Sequence, residues 1–275
     1  MQNQTSPLIL TFGVSDPVGA IGIQADLASF AAMGCHGASV ITAILLGDTA
    51  RIEDIRHIET DWVMDQARMV LEDMPIAAFK VGALGSVENI SAIAEIASDY
   101  PDIPLILDPF ISALPDQGMD DEDMLLAMRE LLLPQTTLFL ASVAELNHLA
   151  ETWRESSAAD LLTMDVREII DTGCQYLLLT GTRCDLGDVA NTLYSDAGEV
   201  RHDVWRRLPG AFSGAGSTLS AAIAAMLANR LEVPEAALEA QEFTMAALSH
   251  ALRIGMGRLV PDRYFWARES GLQQP

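Results

Sequence analysis

The sequence predicts an α/β domain in three layers, α/β/α. A mainly parallel central sheet is covered by helices on both faces and carries an antiparallel hairpin at one edge. Three observations predict this. Short apolar runs such as Leu8–Val14 and Ala38–Leu46 are continuously hydrophobic rather than alternating, as strands buried on both faces are. Segments with helical spacing separate these runs, which implies parallel strands joined by crossover helices. Near the end of the chain, two strand-like segments flank Asp196-Ala197-Gly198, a hairpin turn.

In order, Leu8–Val14 reads as a buried strand. Asp16-Pro17 suits an N-cap and a first helical position, with a helix from about Gly19 to Met33. Ala38–Leu46 is a second strand, Asp61–Met74 a helix, Ala77–Val81 a strand and Val87–Tyr100 a helix. Pro104–Leu107 is a strand ending at Asp108-Pro109. Asp121–Leu132 follows as a helix and Thr137–Ala141 as a strand. Two helices, Val143–Trp153 and Leu161–Thr172, precede the strand at Tyr176–Leu179. The hairpin is Asn191–Ser195 with Glu199–Trp205, and two Ala-rich helices near Gly214–Asn229 and Pro234–Leu252 close the chain.

The chain has 275 residues, 50% of them hydrophobic, enough for one large core. No linker-like or repetitive stretch divides it, so one domain is expected over 1–275, with its core at about 8–263. The net charge of −23, from 39 acids against 16 bases, repels phosphate backbones and anionic lipid, so neither a nucleic acid nor a membrane is an expected partner. MQNQTSPL lacks the features of a secretory signal, and the apolar run around Ala38–Leu46 is too short to cross a bilayer. A cytoplasmic protein is expected. Cys35, Cys174 and Cys184 form no CxxC pair or disulfide framework and read as reduced, partly buried thiols. Lys80 is the only lysine, and Val81 follows it, so there is no Walker A motif. GxSxG, HExxH and GxGxxG after the first strand are absent as well, disfavouring a serine hydrolase, a zinc protease and a nicotinamide dehydrogenase.

In open parallel sheets ligands bind beyond the carboxyl ends of the strands. That singles out Asp16, Gly47-Asp48, Gly82, Asp108, Ser142–Glu145 and Thr180-Gly181. The strongest local signal is Ser213-Gly214-Ala215-Gly216-Ser217-Thr218 before an apolar helix. Its amides form either an anion site at a helix N-terminus or an ordinary glycine loop with Ser217 as N-cap. Asp108 and Glu145, at the ends of neighbouring strands, either share Mg²⁺ or serve as helix-start acids. In Asp16-Pro17-Val18-Gly19-Ala20-Ile21-Gly22-Ile23-Gln24-Ala25-Asp26 the glycines allow close approach of a ligand, although Asp16 as a cap and Asp26 as a solvated helix residue fit the spacing better.

That last segment resembles the D-P-x-G-G-A-G-I-Q-A-D signature of hydroxymethylpyrimidine/phosphomethylpyrimidine kinases. The similarity continues through Met33–Gly37, Val40–Ala43, Phe79–Leu84, Ile106–Pro109, Leu178–Gly181 and Gly214–Ser220, in the family's order. The resemblance implies a ribokinase-like fold, typically dimeric. It also implies transfer of the γ-phosphoryl of ATP, with Mg²⁺, to hydroxymethylpyrimidine and then to its monophosphate, on the route to thiamine diphosphate. On the same basis Asp26, Gly22 and Gly47 line the pyrimidine pocket, with Gly82, Ala83 and Asp108. Gly214, Ala215, Gly216 and Ser217 form the anion hole, Thr180 and Gly181 approach the nucleotide, and Glu145 and Asp108 serve the metal.

The sequence departs from the family pattern where phosphate and pyrimidine are handled. Ser217 replaces the family's usual cysteine, and a neutral hydroxyl is a weak general base without an activating partner. Gly47 replaces the glutamine that reads the pyrimidine, Ser142 the asparagine before Glu145, and Phe110–Pro115 a glycine- and basic-rich stretch. Two alternatives follow: a catalytically impaired pyrimidine-binding relative, or a kinase for another small alcohol such as pyridoxal.

Overall fold

The computed structural model describes residues 6–109, 122–154, 161–184 and 187–267. Among the described residues nine strands form one sheet: β1 Leu8–Ser15, β2 His36–Gly47, β3 Ile52–His57, β4 Ile76–Val81, β5 Leu105–Leu107, β6 Leu138–Ser142, β7 Tyr176–Arg183, β8 Val189–Ser195 and β9 Gly198–Trp205. Their spatial order is β3-β2-β1-β4-β5-β6-β7-β8-β9. The six central strands, β2 to β7 in that order, are parallel, while β3 pairs antiparallel with β2, β8 with β7 and β9 with β8. This is the mainly parallel, helix-covered sheet that the apolar runs predict, and it agrees with the ribokinase-like fold that the resemblance implies.

Eight α-helices among the described residues cover the sheet: α1 Gly22–Ala32, α2 Thr60–Asp73, α3 Val87–Asp99, α4 Glu122–Ala127, α5 Val143–Ala150, α6 Leu162–Asp171, α7 Ala215–Ala228 and α8 Val233–Ser249. Alternation along β1 separates the two cores. Leu10 and Phe12 pack on the α2–α6 side with Val63, Ile90 and Leu146, whereas Ile9 packs on the α1, α7 and α8 side with Phe30, Ile223 and Ala236. Eleven of the fourteen residues of α7 are buried. A helix apolar all round is one enclosed on all sides; α7 lies between the sheet, α1 and α8, and its alanines let those backbones close in.

The structure corrects the sequence reading in three places. Strand β3 forms a second antiparallel edge; only its Ile55 is buried and its other side chains are mostly charged, so it lacks the apolar signal of a strand. Helix α1 begins at Gly22, not near Gly19. Asp16 instead folds the preceding loop, accepting from the N–H groups of Val18, Ala20 and Ile21 at 2.8–3.0 Å, and is no helix cap. The fourth helix turns π-helical over Met128–Leu132 and 3₁₀ over Leu133–Gln135, where Pro134 cannot donate to the preceding turn. Its predicted start at Asp121, and the Phe110–Pro115 stretch, lie outside the described residues. Among those residues no helix is long and apolar enough to cross a membrane.

Candidate active site

A cavity of about 370 Å³ opens at the carboxyl ends of β5, β6 and β7, between the first turn of α7 and the side of α8. Seven of the residues singled out in the sequence line it: Asp108, Ser142, Glu145, Thr180, Gly181, Ala215 and Gly216. Each arrives by a local device. Asp108 follows β5. Glu145 belongs to a capping box that starts α5, accepting from the Ser142 N–H at 2.7 Å while its own N–H donates to Ser142 Oγ at 3.2 Å. Thr180 donates to Ala141 O at 3.3 Å, and Gly181, at φ +72°, donates its N–H to Asn191 Oδ1 at 2.9 Å.

The N-cap of α7 is Gly214, in the left-handed region at φ +92°. Ser217 is therefore the third residue of the helix, not its cap, and is buried at 3% exposure behind Gly216. Thr218 is the first amide to find an intrahelical acceptor, Gly214 O at 2.9 Å. Among the described residues no acceptor takes the N–H groups of Gly214 to Ser217. A Cβ on Gly214 would overlap Ala20 O, so the turn fits only glycine. Arg263 ties it down from the other side, donating to Ala20 O at 2.7 Å, Gly19 O at 3.3 Å and Thr218 Oγ1 at 3.1 Å. Burial lowers the Arg263 pKa to about 10, which leaves it charged at neutral pH.

Behind the cavity runs a buried chain of charge. Lys80 Nζ lies 3.2 Å from Asp26 Oδ2, both side chains at 2% exposure or less, and Thr11 donates to the same oxygen at 2.6 Å. Asp26 is thus a buried ion-pair member, not a solvated helix residue. Asp108, also buried, accepts from Ser220 Oγ at 2.7 Å. Burial raises the Asp108 pKa above the usual carboxylate range. The Lys80 charge and the Ser220 bond oppose that rise, while Glu145 and Asp26 add to it. Gly82 lies beside this chain: a Cβ there would approach Lys80 Nζ to 3.1 Å. Ala83 is buried, and its carbonyl accepts from Thr42 Oγ1 at 2.7 Å.

The other predicted residues are not on the cavity wall. Gly22, at φ +61°, packs where a Cβ would strike Val14 O. Gly47 faces a second, open cleft with Pro17, Val18 and Gly255–Gly257. A Cβ at Gly47 would stand 2.7 Å from Arg51 O, so the tight turn into β3 excludes the expected glutamine-like side chain. For Mg²⁺, Asp108 and Glu145 face one cavity from neighbouring strand ends, a donor set that suits a cation shared with phosphate oxygens. Among the described residues no group of three acidic, histidine or cysteine side chains could hold a metal.

Sequence reasoning missed Lys80, Ser220, Asn191, Trp205, Gln241 and Arg263. Lys80 had one signal, a lone lysine inside a buried apolar run; the others are ordinary polar residues that tertiary folding brings in.

The family model Phosphomethylpyrimidine kinase matches residues 16–262. The hydroxymethylpyrimidine/phosphomethylpyrimidine kinase of Escherichia coli (strain K12) is 30% identical over 260 residues, covering 94% of this chain and 97% of its own. The Bacillus subtilis pyridoxal kinase, solved with ADP, superimposes with a TM-score of 0.81 at 25% identity over 94% of this chain and 98% of that one. The phosphomethylpyrimidine kinase of Clostridium difficile 630 does so with a TM-score of 0.72 at 26% identity, over 89% and 100%.

Proposed function

The chain belongs to the phosphomethylpyrimidine kinase family, and from that premise we propose that it transfers the γ-phosphoryl of ATP to hydroxymethylpyrimidine and its monophosphate in thiamine diphosphate biosynthesis. One observation carries the reading furthest: the first turn of α7, whose amides find no acceptor among the described residues, borders with Ala215 and Gly216 the cavity that also holds Asp108 and Glu145. Amides and helix dipole attract the phosphoryl group, and the two carboxylates provide for its counter-cation.

In this reading the Gly214–Ser217 amides stabilise charge that builds up on the transferring group. Asp108 and Glu145 hold Mg²⁺, which neutralises phosphate oxygens when bound. Thr180 and Gly181 border the nucleotide phosphates. Asp26, Gly22, Gly82 and Ala83 shape the acceptor side, with Gly47 at its rim. By the family resemblance the chain acts as one domain in a cytoplasmic homodimer, which size-exclusion chromatography with light scattering tests; a monomer at micromolar concentration counts against it.

Ser217 Oγ has no hydrogen-bonded base among the described residues. A general base is typically worth ~10²–10⁴-fold, and an alcohol needs one more than an already ionised phosphate does. The monophosphate is therefore the better substrate. In a coupled ADP-release assay its kcat exceeds that of the alcohol, and faster turnover of the alcohol would refute this. Pyridoxal belongs in the same panel, because of the likeness to the Bacillus subtilis enzyme and because Gly47 offers no pyrimidine-reading side chain.

The raised pKa of Asp108 predicts the acid limb of activity. The ionised form that binds a cation is lost as pH falls through the raised value, so on acidification kcat/KM already begins to fall before pH ~4, where an exposed aspartate titrates, is reached. Stability follows the opposite sign: the folded state is favoured while Asp108 is protonated, and this contribution is lost as pH rises through its raised pKa. A pH–rate profile still flat down to pH ~4 would contradict the assignment.

A further inference from the structure

The outer half of the cavity is built unlike its phosphate end. Trp205, at the end of β9 and half-buried, forms part of the wall, and its indole N–H donates to Gln241 Oε1 at 2.8 Å. Asn191 Nδ2 donates to that same oxygen at 2.8 Å. Gln241 Nε2 donates to Asp203 Oδ2 and to Ala237 O, both at 3.0 Å. Asp203 is held in turn by Arg201, at 2.8 and 2.9 Å. All four hydrogen-bonding positions of the Gln241 amide are thus used within the protein. Asn191 Oδ1 is engaged by the Gly181 N–H, and the Thr244 hydroxyl donates to Ala240 O at 2.7 Å. What this half presents inward is the indole ring, fixed through its nitrogen, and the apolar side chains of Val189, Leu219, Met245 and Leu248.

We propose that Trp205, held by Gln241, is the nucleobase platform, and that the base is gripped by stacking and apolar contact without hydrogen-bonded readout, so that purine nucleoside triphosphates are accepted with little discrimination. The proposal rests on the kinase reading, which puts the nucleotide in this cavity. Magnitudes separate it from the alternative. An apolar pocket distinguishes related ligands by ~10–200-fold, whereas a site built to hydrogen-bond a group rejects the analogue lacking it by ~10⁴–10⁵-fold. Adenine, guanine and hypoxanthine differ in their edge donors and acceptors but present similar π faces.

The test is calorimetric titration of the full-length protein with ATP, GTP and ITP in the presence of Mg²⁺, alongside steady-state transfer to the pyrimidine monophosphate. The three nucleotides agree within about tenfold in Kd and in kcat/KM. Trp205→Ala weakens all three in parallel, by roughly 10–100-fold in Kd, with the KM for the pyrimidine unchanged. Trp205→Phe keeps a ring but loses the N–H, and retains binding within a few-fold. A preference for ATP beyond the ~200-fold that an apolar pocket can supply, or a folded Trp205→Ala variant that binds like wild type, overturns the proposal and leaves the kinase reading intact. Equal binding of the three without transfer to any acceptor supports the platform and defeats the kinase reading. Failure to bind any nucleotide defeats both.

Discussion

Gly214→Ala is expected to reduce phosphoryl transfer to the pyrimidine monophosphate by at least ~10²-fold, the range lost when one anion-stabilising donor is removed or misplaced. The cause is geometric. Gly214 sits at φ +92°, a conformation an alanine holds only with strain, and the added Cβ would overlap Ala20 O and come within 2.9 Å of Arg263 Nη2. The start of α7 must move, and its amides move with it. The strain also lowers stability, by about 1–3 kcal/mol for a residue forced into a sparsely populated region. Gly216→Ala is the control. A Cβ there meets nothing within 4 Å and faces the cavity, so the fold is kept while the KM for nucleotide rises. Thermal melts and kinetics on both variants decide the matter. A Gly214→Ala enzyme with wild-type kcat would mean that these amides do not hold the transferring group.

Lys80→Met carries the largest expected stability loss. The substitution strands Asp26 at 0% exposure with only the Thr11 hydroxyl on Oδ2 and no partner on Oδ1. Breaking a buried ion pair from one side costs about 3–5 kcal/mol. It also removes the charge that opposes the raised pKa of Asp108. Denaturant unfolding reads the first effect. The double variant Lys80→Met with Asp26→Asn separates charge from shape, because removing both charges recovers much of the lost stability. If the double variant is no more stable than the single one, the ion pair is not what makes Lys80 matter.

The sheet was readable because its central strands are apolar on both faces and the segments between them keep helical spacing. Strand β3 was not, since Ile52–His57 offers one buried side chain and mostly charges elsewhere, so pairing with β2 alone makes it a strand. At the site, the legible residues were those whose roles are local: the glycine turn before α7, and Asp108 and Glu145 just past their strands. Lys80, Gln241 and Arg263 were illegible for a common reason. Each acts on groups distant in sequence, Asp26 and Asp108 for Lys80, Asn191 and Trp205 for Gln241, and Ala20 and Thr218 for Arg263. Asp16 is no helix cap, and of the two alternatives at Ser217 the N-cap fails, because residue type marks a cap without saying where the chain turns left-handed; Gly214 does that here.

The burial of Lys80 has a practical corollary. The folded protein offers acylating reagents and aldehydes no side-chain amine at its surface. Mass-spectrometric timing of acylation at residue 80 then becomes a clock for opening of the sheet, and trypsin, deprived of lysine sites on the native surface, cuts the intact chain only after arginine.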